Sequence, residues 1–329
     1  MRIVLVSSRS FGSVATVGSD LLQNAGYEVH IVRENDRPLD SAKLASIVAN
    51  EQPEVLIPGA EPVPEAVLAV SKGLRMVMKH GVGVDNIDID AATSMGIAVA
   101  NAPGTNCEAV ADLAVGLMLS VLRHICPANR STRSGAWHRY MGHEVGALVV
   151  GIVGTGRIGA AVGRRLSGFG AKLLGYDVVQ NSDLVATYGM QYVSLNELLK
   201  KADIVTLHAP LVPETVGLIG EDELDLMLSS ALLVNCARGE LVDEQALHAA
   251  LASGSIAGAA VDVFATEPPQ DSALLELENV LATPHIAAYT YEAMVAMDRM
   301  CAETIIEVMI ERRTTQNLLN PVVLSNEGR

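Results

Sequence analysis

An apolar run, Leu148–Val153, stops at Gly154-Thr155-Gly156-Arg157-Ile158-Gly159. A helical segment, Ala160–Phe169, continues from it, and a second apolar run, Leu173–Tyr176, ends at Asp177. Nothing else in the 329 residues restricts the fold as tightly. The G-x-G-x-x-G spacing alone is weak, because the chain has 28 glycines. Between a strand and a helix, with an acid eighteen positions beyond Gly159, it becomes the βαβ fingerprint of a dinucleotide-binding unit. Gly154 permits a tight turn, Gly156 lets the backbone approach a pyrophosphate, and Gly159 lets helix and strand pack closely. The amides of Arg157 and Ile158 then face that pyrophosphate at a helix N-terminus, where the dipole favours negative charge. Asp177 is placed to accept from adenine-ribose hydroxyls and to repel a 2′-phosphate, so the expected cofactor is NAD and not NADP.

The same strand–helix alternation runs through the whole chain. Before the fingerprint come Ile3–Ser7, Glu28–Val32, Val55–Ile57, Arg75–Met78 and Ile97–Ala100, with helical spacing between them at Ser19–Ala25, Ala42–Asn50 and Pro64–Lys72. Short runs rich in Val, Ile and Met read as buried parallel strands. After the fingerprint come Lys172–Tyr176, Asp203–His208, Ala231–Asn235, Ala257–Val261 and Val280–Ala282, and Ser194-Leu195-Asn196-Glu197 is a capping-box signature. The expected fold is α/β, with two doubly wound parallel-sheet domains, the first flavodoxin-like and the second of Rossmann type. With aromatics at 3% and hydrophobic residues at 50%, the cores must be built from small and branched side chains. Cys107–His124 is apolar on most sides and must be buried on most sides, which one domain face cannot do alone, so a subunit interface is expected there. Arg130–Glu144 reads as an extended loop, Thr290–Arg312 as a long helix, and the tail after Asn320 as poorly ordered unless something docks it.

A net charge of −15 makes nucleic acid and anionic membrane unfavourable partners. No apolar stretch reads as a membrane span or a signal segment. Four widely spaced cysteines, Cys107, Cys126, Cys236 and Cys301, form no C-x-x-C pair, so neither a disulfide framework nor a metal site is expected, and a cytoplasmic location fits.

Arg238, Glu267 and His285 each follow a strand, and in open α/β sheets ligands collect beyond the carboxyl ends of strands. Around them stand Gly81-Val82-Gly83-Val84-Asp85-Asn86-Ile87-Asp88, Asn101-Ala102-Pro103-Gly104-Thr105-Asn106, His208-Ala209-Pro210, Asn235-Cys236-Ala237-Arg238-Gly239, Asp262-Val263-Phe264-Ala265-Thr266-Glu267-Pro268 and Thr283-Pro284-His285. With the glycine fingerprint these run in the order of the D-isomer-specific 2-hydroxyacid dehydrogenases, and the chain resembles that family, near its 3-phosphoglycerate dehydrogenase group. The resemblance implies a hydride transfer between NAD(H) and a small 2-hydroxy or 2-oxo acid. His285 is then the general acid and base, Glu267 its carboxylate partner, and Arg238 the clamp on the substrate carboxylate. Amides around Gly81, Val82 and Gly83 form an anion nest for that carboxylate, with Lys79 and His80 beside them at the mouth of the site. His208, Ala209, Pro210, Cys236, Ala237 and the backbone through Ala287 and Ala288 line the cofactor site, where Asp262 meets the nicotinamide carboxamide.

The resemblance also implies a discontinuous layout. Residues 1–100 and 290–329 form the substrate domain and 101–289 the NAD-binding domain, with catalysis in a cleft that closes. A homodimer through the cofactor domains is implied, with Trp137 as an anchor; His138 and His143 read as loop residues. Three departures stand out. Ala287 occupies a usual glycine and is expected to narrow the pocket. Lys79 and His80 replace an arginine and a small residue, which argues against 3-phosphoglycerate as substrate. No C-terminal regulatory domain is expected after residue 329. Two other functions fit the same motifs: an NAD(H)-sensing, corepressor-like binding protein, and a dehydrogenase of a non-carbon centre such as phosphite.

Overall fold

The computed structural model describes residues 2–325. The chain divides into two compact units, Met1–Asn106 with Tyr289–Arg329, and Cys107–Ala288. In chain order the first unit holds β1 (Arg2–Val6), α1 (Val17–Asn24), β2 (Tyr27–Ile31), α2 (Ser41–Glu51), β3 (Val55–Ile57), α3 (Glu65–Leu68), β4 (Met76–Met78), α4 (Ile89–Ser94) and β5 (Ala98–Ala100). The second holds α5 (Cys107–Leu122), α6 (Ile125–Arg133), β6 (Val149–Val153), α7 (Arg157–Gly168), β7 (Lys172–Tyr176), α8 (Ser182–Tyr188), β8 (Gln191–Tyr192), α9 (Leu195–Lys201), β9 (Ile204–Leu207), α10 (Glu221–Leu226), β10 (Leu232–Asn235), α11 (Glu244–Ser253), β11 (Gly258–Val261) and β12 (Val280–Ala282). The chain then returns to the first unit with α12 (Tyr291–Met309) and α13 (Val322–Ser325).

The first sheet has the order β2-β1-β3-β4-β5, all parallel, which is the flavodoxin-like winding. β3, β4 and β5 are buried along their whole length, as a sheet covered on both faces requires. The second sheet has the order β12-β11-β10-β9-β6-β7-β8, again all parallel. Its order reverses between β6 and β9, so the loops after those two strands flank the crevice where such sheets bind ligands. The glycine loop follows β6 and His208 follows β9.

Helix starts are set by short polar caps. Asp40 accepts from the Lys43 amide, Asp88 from Ala91, Asn181 and Asp243 from the first turns of α8 and α11, and Thr290 from Ala293. Ser194 accepts from the Glu197 amide at 3.3 Å, one half of the expected capping box, while the Glu197 carboxylate accepts from Lys201 Nζ. The apolar α5 needs no second copy to bury it: Ala111, Ala114 and Met118 are fully enclosed, and it packs on α7, β10 and β11 of its own unit. Where a loop is expected from residue 130, α6 persists to Arg133, and an irregular segment follows to Glu144. His124, with φ +52°, breaks the chain between α5 and α6. The expected disorder after Asn320 does not hold for residues 321–325, which form a turn and α13 with Val323 buried; residues 326–329 lie outside the described part. Among the described residues no single helix is long and apolar enough to cross a membrane.

Candidate active site

In the second unit β6 delivers the chain to Gly154, where φ is +89° and a Cβ would lie 2.5 Å from the Ala209 nitrogen. A Cβ on Gly159 would sit 2.0 Å from the Gly154 oxygen, so the turn closes only without side chains there. Gly156 has nothing within 4 Å of its would-be Cβ, which leaves open space directly over the loop. The N-terminus of α7 begins at Arg157 with no side-chain cap and no acid in its first turn. Beside the loop, His208 Nε2 lies 2.9 Å from Thr206 Oγ1. The residue is half-buried as a whole, but its Nδ1 is sealed from solvent and has no partner. Burial lowers its pKa to about 4, so the imidazole is neutral at neutral pH. Open space, uncapped amides and an orphaned ring nitrogen together suit the phosphates and neighbouring atoms of a dinucleotide.

Asp177 follows β7 as predicted. Its Oδ2 accepts from the Thr155 amide at 2.6 Å and from Thr155 Oγ1 at 3.2 Å, and its Oδ1 accepts from Val179 N at 3.1 Å. A carboxylate has about four acceptor positions, so capacity for ribose hydroxyls remains.

At the far side of the same sheet, His285 Nδ1 lies 2.7 Å from Glu267 Oε2. Both side chains are substantially exposed, at 44% and 34%. Burial pushes the Glu267 carboxyl up. The His285 hydrogen bond and charge, the Phe264 amide and the Arg238 charge outweigh it and hold the carboxyl below its ordinary value. His285 has φ +53°, a left-handed conformation that costs a non-glycine residue energy unless its surroundings enforce it. Asp262 supplies the enforcement. Its carboxylate accepts from Thr283 Oγ1 at 2.5 Å, Ile286 N at 2.9 Å and Ala287 N at 2.9 Å, and its carbonyl accepts from His285 N at 2.8 Å. The side chain expected to meet a carboxamide is therefore fully buried and committed to the His285 turn. Ala287, expected to narrow a pocket, is 4% exposed and belongs to the apolar core of the unit, so its methyl is accommodated inside.

Arg238 stands at the end of the turn after β10, half-buried, with Nη1 donating to the Ala237 carbonyl at 2.7 Å. Asn235 shapes that turn from inside: its Nδ2 donates to the Arg238 carbonyl and its Oδ1 accepts from the Ala237 amide. A Cβ on Gly239 would lie 2.0 Å from the Phe264 carbonyl carbon, so the turn after β10 and the segment after β11 touch backbone to backbone. Cys236 is buried, and burial with the nearby Asp262 charge raises its thiol far above the ordinary range, which leaves it unreactive.

In the first unit, the Gly81–Gly83 loop follows β4 and is held by Asn101, whose Nδ2 donates to the Val82 carbonyl at 2.7 Å. Lys79 and His80 do not stand at an open mouth as expected. Lys79 is 8% exposed, with Nζ donating to the Gly59 carbonyl at 2.5 Å and to Asn86 Oδ1 at 2.7 Å. His80 is sealed between Asp298 Oδ1, 2.8 Å from Nε2, and the hydroxyls of Ser10 and Ser8, 2.9 and 3.2 Å from Nδ1. Asp298 also accepts from the Gly12 amide at 3.0 Å, and the Phe11 ring meets His80 edge-on. Both side chains turn inward because polar partners from distant segments meet them there.

Sequence reasoning passed over Thr155, Asn101, Asn235, Gly239 and Asp298. Four of these lie inside the ordered motifs, so their proximity to the site was the available signal; Asp298, within α12, offered none.

The family profile "D-isomer specific 2-hydroxyacid dehydrogenase, NAD binding domain" matches residues 115–287. The chain is 43% identical over 261 residues to D-3-phosphoglycerate dehydrogenase of Methanocaldococcus jannaschii, covering 78% of this chain and 50% of that protein. It is 45% identical over 253 residues to glyoxylate reductase of Korarchaeum cryptofilum, covering 75% of this chain and 76% of that one. Against the crystal structure of D-lactate dehydrogenase from Aquifex aeolicus complexed with NAD and lactic acid, the TM-score is 0.85 at 27% identity, over 97% of this chain and 99% of the other. The chain spans about half the length of the D-3-phosphoglycerate dehydrogenases it matches.

Proposed function

Because the chain belongs to the D-isomer specific 2-hydroxyacid dehydrogenases, whose NAD binding domain its residues 115–287 match, we propose that it transfers a hydride between NAD(H) and a small 2-hydroxy or 2-oxo acid. The observation that carries this reading is the His285–Glu267 pair at 2.7 Å, in the same unit as the glycine loop. When bound as NADH, the cofactor supplies the hydride that reaches C2 of the oxo acid. His285 gives its proton to the ketone oxygen and takes it back in the reverse direction. Nδ1 is committed to Glu267, so Nε2 is the nitrogen that faces the substrate oxygen. The Glu267 carboxylate fixes the orientation of the ring. Arg238 holds the substrate carboxylate and polarises the carbonyl with its planar donors. In the first unit, the amides of Val82 and Gly83 are anion donors.

Lys79 is consumed by Gly59 and Asn86, so this cation is not offered to a distal phosphate. The substrate is then a short acid of the glyoxylate or hydroxypyruvate kind, not a phosphorylated one. Trp137, Tyr140, Met141 and Ile125 expose apolar surface at 70%, 43%, 91% and 50% on one stretch of the second unit, which supports a homodimer through that unit. Four free thiols support a reducing, cytoplasmic location.

The test is loss of NADH absorbance with a panel containing glyoxylate, hydroxypyruvate, phosphohydroxypyruvate and sulfopyruvate, with NAD reduction by phosphite as a separate arm. Turnover of at least one 2-oxo acid is expected, together with a fall of about a hundredfold or more in kcat for His285→Ala. Tight NADH binding with no turnover across the panel would favour the sensor reading, and turnover of phosphite alone would favour the non-carbon one.

A further inference from the structure

The strand β8 is only two residues long, and its Tyr192 pairs in register with Gly175 of β7. The absence of a side chain at Gly175 gives the Tyr192 ring its path: a Cβ there would lie 3.1 Å from Tyr192 Cε1 and 2.6 Å from Met190 Sδ. The ring crosses β7 and reaches the loop after β6, where its hydroxyl donates to Thr155 Oγ1 at 2.7 Å. Thr155, 2% exposed, passes the polarity on, donating its own hydroxyl and its amide to Asp177 Oδ2. The Tyr192 oxygen also accepts from the Asn181 amide at 2.8 Å, which ties down the far end of the segment that begins at Asp177. A phenol, a threonine hydroxyl and a carboxylate thus form one directional chain, with the only acceptor-only group at its end.

We propose that Tyr192 and Thr155 are positioning residues for Asp177, and that this relay sets the preference for NAD over its 2′-phosphorylated form. The inference rests on the reading that Asp177 meets the adenine ribose. A carboxylate discriminates between a hydroxyl pair and a phosphate only if it is held at one place. Two contacts, from the Thr155 amide and hydroxyl, hold this one on the glycine-loop side, and the Val179 amide holds its other oxygen. Releasing the relay frees the carboxylate to swing toward solvent, which weakens its bonds to the ribose and lessens its repulsion of a phosphate.

The experiment is direct binding of NADH and NADPH, followed by quenching of protein fluorescence or by calorimetry, to the whole protein and to Tyr192→Phe, Thr155→Val, Thr155→Ser and Asp177→Ala. Tyr192→Phe and Thr155→Val are expected to raise the Kd for NADH about tenfold, the size of one lost hydrogen bond, and to leave NADPH within about twofold. The double variant is expected to be no worse than either single one, since both interrupt one chain. Thr155→Ser, which keeps the hydroxyl, is expected to bind like the parent. A merely structural role would weaken both cofactors alike. If Asp177→Ala narrows the NADH preference but Tyr192→Phe and Thr155→Val do not, the relay is overturned while the ribose assignment stands. If Asp177→Ala also leaves the preference unchanged, the ribose assignment falls and the relay with it.

Discussion

His285 occupies left-handed backbone space at φ +53°, and every polar group that keeps it there belongs to Asp262 or to the turn between Thr283 and Ala287. The energy stored in that turn is offset by a buried carboxylate with three donors. The ring therefore reaches Glu267 already oriented. The Glu267 carboxyl titrates below its ordinary value of 4.5 in the folded protein. A depressed carboxyl contributes stability that is fully present above its unfolded pKa and is lost as pH falls through the folded one. Urea denaturation of the parent and of Glu267→Gln should therefore differ at about pH 7, with the difference closing below about pH 4. A constant difference down to strong acid would show that Glu267 is not held by a charged partner. At this scale the candidate side chains Arg238, Glu267 and His285 stood out in the sequence because they sit in ordered motifs at strand ends, and the structure places His285 against Glu267. The role of Asp262 was not, because its use as an anchor depends on a turn 24 and 25 residues away.

Between elements, a buried polar junction joins the loop after β1, the loop after β4 and α12. Gly18 lets α1 approach α12, since a Cβ there would meet the Phe11 ring at 2.7 Å and the Asp298 carbonyl at 2.9 Å. His80 and Asp298 are both fully enclosed, 218 residues apart in the chain. That separation is why His80 read as an exposed neighbour of Gly81: local pattern carries no information about a partner on the last long helix. Asp298→Ala would leave the buried His80 Nε2, and the half-buried Gly12 amide, without this partner. It is expected to cost about 3 kcal/mol in urea denaturation, against less than about 0.5 kcal/mol for the exposed neighbour Arg299→Ala. Equal midpoints for the two variants would mean that the buried pair contributes nothing. The element pattern itself was largely visible, strand by strand. What escaped were β8, too short to show alternation, the helices α4, α8, α10 and α11 between strands, and α6, whose Arg130, Ser131, Thr132 and Arg133 favour loop and helix alike.

The two windings follow from one rule applied twice: parallel strands need crossovers, crossovers are right-handed, and each sheet reverses its order once. The reversals place the glycine loop and His208 together in the second unit, and the loops after β1 and β3 together in the first. Both winding classes were legible because buried parallel strands announce themselves as short, continuous Val-, Ile- and Leu-rich runs. The inward turn of Lys79 was not legible, because it depends on Gly59 and Asn86. The central claim is hydride transfer to carbon, and label transfer tests it most directly. The protein is given NADH deuterated at both C4 positions, with the most active 2-oxo acid of the panel, and the product is weighed by mass spectrometry. The account predicts one deuterium at C2 of a single 2-hydroxy acid enantiomer, and none with His285→Ala over the same period. A reduced product without label at C2, or no product while NADH stays tightly bound, would contradict it.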